Sequence, residues 1–139
     1  MDHGQIYAYF RPEERLESVV AADEEPGEDK DWEEAIVCAA CSFFITWKRE
    51  KIRVHGKHAH VFFNPAGIVF ELGCFQNAPG CVPLGRGTQE FTWFDGYAWR
   101  ICVCRRCQNH LGWHYHSEQG GGNFFGLILS RLQEKQRSG

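Results

Sequence analysis

The feature that most constrains this sequence is a pair of Cys-x-x-Cys motifs, Cys38 with Cys41 and Cys104 with Cys107. A turn of this spacing holds two thiolates about as far apart as two corners of a zinc tetrahedron, so two turns complete a four-cysteine site. Because 62 residues lie between Cys41 and Cys104, the metal would join an early part of the chain to a late one. Four thiolates leave no coordination position for water. We therefore expect one structural zinc ion per chain.

The sequence has seven cysteines and no visible secretory signal, which points away from a disulfide framework. Two other interpretations of the Cys-x-x-Cys motifs are buried free thiols and a thioredoxin-like redox pair, but the redox motif needs a βαβ context that is missing. Cys74, Cys81 and Cys102 remain outside the quartet, and we expect them to be buried, inert thiols.

Charge divides the 139-residue chain into two parts. Residues 1–34 hold twelve acidic and three basic side chains, a net charge of −9, whereas the remaining 105 residues carry +6. Pro26-Gly27 interrupts the most acidic stretch, which is typical of a solvated linker. We interpret residues 1–34 as an acidic N-terminal appendage and residues 35–135 as one domain.

After residue 34 the sequence changes to short runs of aromatic and β-branched residues, bounded by Gly, Pro and Asn. The turn residues Asn64-Pro65-Ala66-Gly67 predict that the runs 58–64 and 68–75 form a hairpin. Near the end of the chain we expect residues 124–128 to be extended and residues 129–135 to form a last turn or two of helix. The runs predicted as strands are 35–38, 42–47, 58–64, 68–75, 91–94, 99–103 and 110–116. The predicted fold is therefore all-β and antiparallel.

Three tryptophans, Trp93, Trp99 and Trp113, fall within 21 positions, and a tight Asp95-Gly96 turn separates the first two. Tryptophan more often fills an ordinary core than a binding cage. However, three indole N–H groups are difficult to satisfy in so small a core. A box of three rings would suit either a quaternary ammonium group or a flat neutral ring.

Together these motifs resemble the CULT domain family, the thalidomide-binding domain of cereblon proteins, and most closely its single-domain bacterial members. The resemblance runs from about Ile36 to Leu132. It implies a β-tent, two antiparallel sheets at a steep angle pinned by the four-cysteine zinc site. The motifs that carry it, in the family's order, are Cys38-x-x-Cys41, residues 64–67, residues 91–99, Cys104-x-x-Cys107, residues 110–113 and residues 124–127.

The resemblance also implies a ligand pocket with walls of tryptophan. In the family, the backbone at the positions of Phe91 and Trp93 pairs with the imide edge of glutarimide-type ligands. Phe91 stands where vertebrate members have a histidine, so only the backbone contact is expected there. The implied ligand-binding residues are Asn64 and Pro65 at a lip, Phe70 at the edge, Trp93, Trp99 and Trp113 as walls, Tyr115 closing one side, and Glu90, Phe91 and Thr92 in the adjoining segment.

By the same resemblance, the ligands would be cyclic imides of the glutarimide or thalidomide type. Uracil-like rings share the acceptor–donor–acceptor edge, so pyrimidine nucleosides and chain-terminal cyclic imides of ageing proteins are further candidates. The domain would then be a binding module and not an enzyme. No residue set resembles a catalytic triad, a carboxylate pair or a phosphate loop.

Three alternatives use other features of the sequence. A methionine sulfoxide reductase of β-tent type would need Cys102 as its nucleophile. A nucleic-acid module would use the basic loop around Lys48 to Lys57. A methyl-ammonium cage would pair the tryptophans with Glu90 or Asp95. These three remain alternatives to the neutral-ring binding module. We expect a monomeric cytoplasmic protein without a nucleic-acid partner. We expect no membrane partner either, since no apolar run approaches the ~20 residues of a membrane span.

Overall fold

The structure, a computed structural model, describes residues 34–135 and confirms the predicted all-β fold. The acidic appendage predicted for residues 1–34 lies outside the described residues except for Glu34. Within the described part no helix is long and apolar enough to cross a membrane. The described strands are β1 (Ala35–Cys38), β2 (Phe44–Trp47), β3 (Ala59–Phe63), β4 (Val69–Phe75), β5 (Cys81–Thr88), β6 (Tyr97–Cys104), β7 (His110–Ser117), β8 (Asn123–Ile128) and β9 (Leu132–Glu134).

The strands form two antiparallel sheets. The small sheet has the order β2-β1-β9, and the large sheet has the order β3-β4-β8-β7-β6-β5. Strand β9 returns to the start of the described chain, where Ile36 pairs with Glu134 and Cys38 pairs with Leu132. Both ends of the described segment are therefore held in the small sheet.

The two faces of the large sheet line two separate cores, because side chains alternate along each strand. One core joins the two sheets and contains Ile36, Ile45, Phe75, Leu111 and Leu127. The other core lies on the opposite face and is built mainly from aromatic residues; it includes Phe70, Phe94, Trp99, Trp113 and Tyr115. All the aromatic residues predicted as ligand walls thus belong to one face of one sheet or to the segment that covers it.

The predicted hairpin is present as β3 and β4. Phe63 pairs with Val69, and Phe62 pairs with Phe70 one position further in. The buried side chain of Asn64 closes the turn, because its Oδ1 accepts hydrogen bonds from the backbone N–H groups of Ala66 and Ile68. The turn is thus fixed by an asparagine side chain.

One sequence prediction about this sheet is wrong. Residues 91–94 are not a strand, and the strand in that region is β5, which ends at Thr88. Strand β5 contains Pro83 and two glycines, a composition that is depleted in strands and therefore did not predict one. It persists because β6 supplies a partner along its first half, from Cys81 opposite Cys104 to Leu84 opposite Ile101.

The predicted C-terminal helix is also wrong beyond its first turn. Only Leu129–Arg131 form a short 3-10 helix, and the chain then enters β9. Strand β9 forms because the exposed edge of β1 is available for backbone pairing. That tertiary contact outweighs the helix propensity of residues 129–135.

Candidate functional site

The four predicted metal ligands converge at the junction of the two sheets. Their Sγ atoms all lie within 4.8 Å of one another. The Sγ atoms of Cys38 and Cys107 are 3.7 Å apart, and those of Cys41 and Cys104 are 3.6 Å apart. A tetrahedral ion with metal–sulfur bonds of about 2.3 Å needs sulfurs about 3.8 Å apart. The cluster therefore fits a tetrahedrally coordinated metal ion.

The two Cys-x-x-Cys turns share one local geometry. The carbonyl of Cys38 accepts a hydrogen bond from the N–H of Ser42 at 2.8 Å, and the carbonyl of Cys104 accepts one from Gln108 at 2.9 Å. Ser42 and Gln108 both have a left-handed backbone, with φ of 68° and 64°. Each turn reverses the chain at the end of a strand, β1 or β6, so that the second cysteine faces the first.

The pKa values of these thiols determine how metal binding depends on pH. Burial raises the pKa of Cys38 and of Cys104. Burial also acts to raise the pKa of Cys107, but the N–H of Asn109 and the neighbouring thiols outweigh it, so the pKa of Cys107 is lowered. Since a metal binds thiolates, it must displace protons from the buried cysteines. Metal affinity at this cluster should accordingly weaken in acid.

The tryptophans of the second core are placed by strand register. Trp99 of β6 lies opposite Tyr115 of β7, and Ile101 lies opposite Trp113. Trp99 and Trp113 are therefore diagonal neighbours on one face of the sheet. Both are almost completely buried, at 2% and 1% exposure.

Trp93 reaches this face from the segment between β5 and β6. Its ring centroid lies 4.9 Å from that of Trp113, with the planes at 77°. Phe70 of β4 stands edge-on to Trp113, at 5.4 Å and 81°, and lies 5.9 Å from Trp93. Phe62 of β3 stacks on Trp93 at 5.0 Å and 10°. Trp113 thus meets Trp93 and Phe70 nearly at right angles, while Phe62 covers Trp93. We call Phe62, Phe70, Trp93, Trp99 and Trp113 the aromatic cluster.

Trp99 holds the segment that carries Trp93. Its indole Nε1–H donates a 2.8 Å hydrogen bond to the carbonyl of Glu90. The next residue, Phe91, has φ of 57°, a left-handed conformation that is rare for a bulky side chain and costs of order 1–3 kcal/mol. The Phe91 ring is 43% exposed, so burial of the ring does not repay that strain. The strained backbone is held because Trp99 fixes the preceding carbonyl.

The predicted lip lies at the β3–β4 turn. Asn64 is only 2% exposed, and its Nδ2 is buried with no hydrogen-bond partner among the described residues. Pro65 is exposed at the tip of the turn. A buried amide N–H₂ without an acceptor is costly, so this position favours an additional acceptor group nearby.

Two further residues predicted to bind ligand, Tyr115 and Thr92, lie outside the aromatic cluster. Tyr115 lies deeper in the core, stacked on Phe124 at 5.0 Å and edge-on to Phe94 at 4.8 Å. The Thr92 hydroxyl accepts a hydrogen bond from the Phe94 N–H at 3.4 Å and so supports the segment internally. Sequence reasoning missed Phe62, although its place opposite Phe70 follows from the predicted hairpin register.

Cys102 lies far from solvent in the core between the sheets. It is 0% exposed, and it lies with Cys81 in the core between the sheets. Burial, followed by the contact with Cys102, raises the pKa of Cys81. Cys74 is also fully buried, in the aromatic core, and burial raises its pKa to about 12. Cys74 and Cys81 are therefore protonated at neutral pH, and all three thiols are shielded from solvent.

Comparison with known proteins relates this arrangement to one family. The protein cereblon of Danio rerio is 33% identical over 104 residues, which cover 70% of this chain and 24% of that protein. Cereblon of Drosophila willistoni is 44% identical over 110 residues, covering 73% of this chain and 18% of that protein. Cereblon of Gallus gallus is 36% identical over 74 residues, which cover 51% of this chain and 17% of that protein. The match thus spans less than a quarter of these relatives. No protein-family model matches the chain.

The identity to several cereblons extends over about seven tenths of the chain. The same segment has the two antiparallel sheets, the four-cysteine cluster and the clustered tryptophans that the sequence motifs predict. The chain therefore contains a cereblon-like CULT domain.

Proposed function

We propose that this domain is a non-enzymatic binding module for a neutral cyclic imide or uracil-like ring. The observation that carries the proposal is the near-perpendicular arrangement of Trp93 and Trp113, with Trp99 buried in the same aromatic core. Flat indole faces at right angles suit a small ring that packs on its faces and forms hydrogen bonds at its edge. The backbone at Phe91 and Trp93 would provide that edge with donors and acceptors, as the family resemblance implies.

The surroundings of the cluster favour a neutral ligand over a methylated ammonium ion. An ammonium cage gains from a nearby carboxylate as well as from aromatic faces. The two acidic residues of the segment, Glu90 and Asp95, are both exposed. Glu90 contributes its backbone carbonyl to Trp99, and the buried polar side chain at the lip is the neutral Asn64. We therefore place carbonyl oxygens of the ligand, which are acceptors, near Asn64 Nδ2.

We propose zinc as the metal and a structural role for it. Four thiolates at tetrahedral spacing are typical of structural zinc sites, and their closed coordination leaves no position for a substrate. When bound, zinc would contribute folding energy by tying β1 to β6 across 62 intervening residues. Cys38, Cys41, Cys104 and Cys107 would hold it.

Burial and pairing of the relevant side chains weigh against the other functions. A reductase needs an accessible thiolate, whereas Cys102 is fully buried between the sheets. In the basic loop, Lys51 forms a 2.7 Å ion pair with Glu134, which also lies 3.9 Å from Lys48. Arg49 stacks on Trp47 at 4.5 Å. Three of the cations that a nucleic acid would need are thus already engaged.

The proposed ligands share one chemical edge and differ in origin. Free cyclic imides, pyrimidine nucleosides and chain-terminal cyclic imides of proteins all present a carbonyl, an N–H and a second carbonyl in a row. In this chain the module would act as a monomeric ligand-binding domain.

A titration of the zinc-loaded protein with glutarimide, uridine and trimethyl-lysine tests the proposal. We expect saturable quenching of tryptophan fluorescence by glutarimide and uridine and none by the cation. Tighter binding of trimethyl-lysine than of either neutral ring would contradict the proposal.

A pair of variants locates the site. Trp93 is half-buried on a surface segment, so Trp93→Ala should weaken binding at least tenfold in calorimetry while the fold persists. Trp99→Ala is a less specific test, because Trp99 is buried and supports the segment, so its loss would affect the fold as well as binding. Trp47→Phe, on the small sheet, is the matched control and should leave affinity unchanged. Equal affinity in Trp93→Ala and Trp47→Phe would remove the aromatic cluster from the binding site.

A further inference from the structure

A cavity lies on the face of the large sheet opposite the aromatic core. Its volume is about 460 Å³, within the range of small-molecule sites. Strands β5, β6, β7 and β8 form its walls. Its polar lining residues are Arg86, Arg100, His114, His116, Glu118 and Asn123. The lining thus has two arginines and two histidines against one carboxylate.

A bulge in β5 brings the two arginines together. Leu84 pairs with Ile101 and Thr88 pairs with Trp99, so three residues of β5 face the single residue Arg100 of β6. The middle one of these three is Arg86, and Gly85 before it takes a φ of 74°, which a side chain would disfavour. Bulges of this kind re-aim side chains and are frequent beside functional sites.

Neither guanidinium group forms an ion pair within the described residues. The ion pairs of the described part, residues 34–135, involve Glu134 with Lys48 and Lys51, and no carboxylate lies within 4.0 Å of Arg86 or Arg100. Glu118 lines the cavity without forming an ion pair to either arginine. Two cations held at one cavity repel each other unless an anion is bound between them.

Hydrogen bonds hold both histidine rings in place, and His114 keeps an N–H donor. Arg100 Nη2 donates to Nδ1 of His114 at 3.3 Å, so the proton of the neutral imidazole is on Nε2. Burial, followed by the charges of Arg100 and His116, lowers the pKa of His114 to about 4 and keeps this ring neutral. His116 Nδ1 donates to Oδ1 of Asn123 at 3.0 Å, which fixes the orientation of that ring.

We propose that this cavity binds the phosphate group of a small phosphorylated metabolite. Arginine forks match phosphate oxygens in two-point geometry, and the glycines of the bulge allow the backbone to approach closely. The volume exceeds that of a bare phosphate ion, so there is room for an attached sugar-sized group. The site is distinct from the aromatic cluster, because Arg100 and His114 project from the opposite face of the strands that carry Trp99 and Trp113.

The test is calorimetric titration of the full zinc-loaded chain at constant ionic strength with inorganic phosphate and with ribose 5-phosphate. We expect saturable one-to-one binding that weakens at least tenfold in Arg86→Gln and in Arg100→Gln. Arg53→Gln removes the same charge from an exposed position outside this cavity and should leave affinity unchanged. Tighter binding of ribose 5-phosphate than of phosphate would show that the attached group is also recognised, and equal binding would assign the site to phosphate alone.

Two results would overturn the proposal. One is the absence of saturable binding of either compound at millimolar concentration. The other is an equal loss of affinity in all three arginine variants, which would indicate attraction by net charge only. Trp93→Ala should bind phosphate normally, so failure of this site and failure of the aromatic cluster are separable.

Discussion

The hydrogen bond from Trp99 to Glu90 allows one stability prediction to be worked out in detail. Trp99→Phe keeps an aromatic ring at the centre of the buried face but removes the Nε1–H that holds the carbonyl of Glu90 at 2.8 Å. The segment carrying the strained Phe91 and the ring of Trp93 would then lose this tether to β6. The variant therefore separates the positioning role of Trp99 from its bulk.

The expected cost has two parts. Loss of one hydrogen bond between partly buried neutral groups costs about 1 kcal/mol. Replacing indole by phenyl at a position that is 2% exposed leaves about 40 Å³, which costs about 1 kcal/mol at ~24 cal/mol per Å³. The free energy of unfolding should thus fall by about 2 kcal/mol. Relaxation of Phe91 out of its left-handed conformation would offset part of this and also displace Trp93.

Urea unfolding of the zinc-loaded protein, monitored by circular dichroism, measures the change. We expect a lower urea midpoint and an unchanged slope of the free energy of unfolding against urea concentration. Glutarimide should also bind at least tenfold more weakly. Trp47→Phe is the control, because it keeps an aromatic ring beside Phe44, weakens the contact with Arg49 and should cost less than about 1 kcal/mol. If Trp99→Phe unfolds within 0.5 kcal/mol of the wild type and binds glutarimide normally, the segment is not held by Trp99.

Further predictions concern the metal, the sheet and acid stability. Cys107→Ser should reduce bound zinc from about one per chain to well below that in elemental analysis, and chelator treatment of the wild type should lower its midpoint of thermal unfolding, since metal binding is coupled to folding. Gly112→Ala should cost about 3 kcal/mol or more in urea unfolding, because the new Cβ would lie 2.8 Å from the Cα of Leu127 and overlap the adjacent backbone. The pKa of His114 is about 4 in the folded protein against 6.5 as its ordinary value. The unfolded chain therefore binds more protons between these values, so the free energy of unfolding should fall as the pH falls from 7 to 4, and His114→Gln should reduce that slope.

The fold was predictable where local signals and strand pairing agree. The Asn64-Pro65 turn fixes the β3–β4 hairpin because the asparagine side chain closes it from within the same segment. The cysteine cluster was predictable for a related reason, since each half is a local turn and a tetrahedral metal site would need both halves. The tryptophan arrangement came from the family resemblance and the turn at Asp95-Gly96.

The parts that were not predictable depend on distant partners. Strand β5 has a glycine-rich sequence with Pro83 and is stabilised by β6, and β9 is stabilised by the free edge of β1. Phe91 was predicted as extended, but the hydrogen bond from Trp99 to its neighbour sets a left-handed backbone there. The cavity beside Arg86 and Arg100 requires the register shift in β5, which the sequence does not specify by itself.

The most direct test of the central claim compares glutarimide with its N-methyl derivative in calorimetric titrations of the zinc-loaded protein. Both rings present nearly the same faces to the aromatic cluster, but only glutarimide has an imide N–H for the backbone beside Trp93. We predict saturable binding of glutarimide and affinity at least tenfold weaker for the N-methyl compound, because a buried acceptor would be left unpaired and crowded. Equal affinity for the two compounds would contradict recognition of an imide edge.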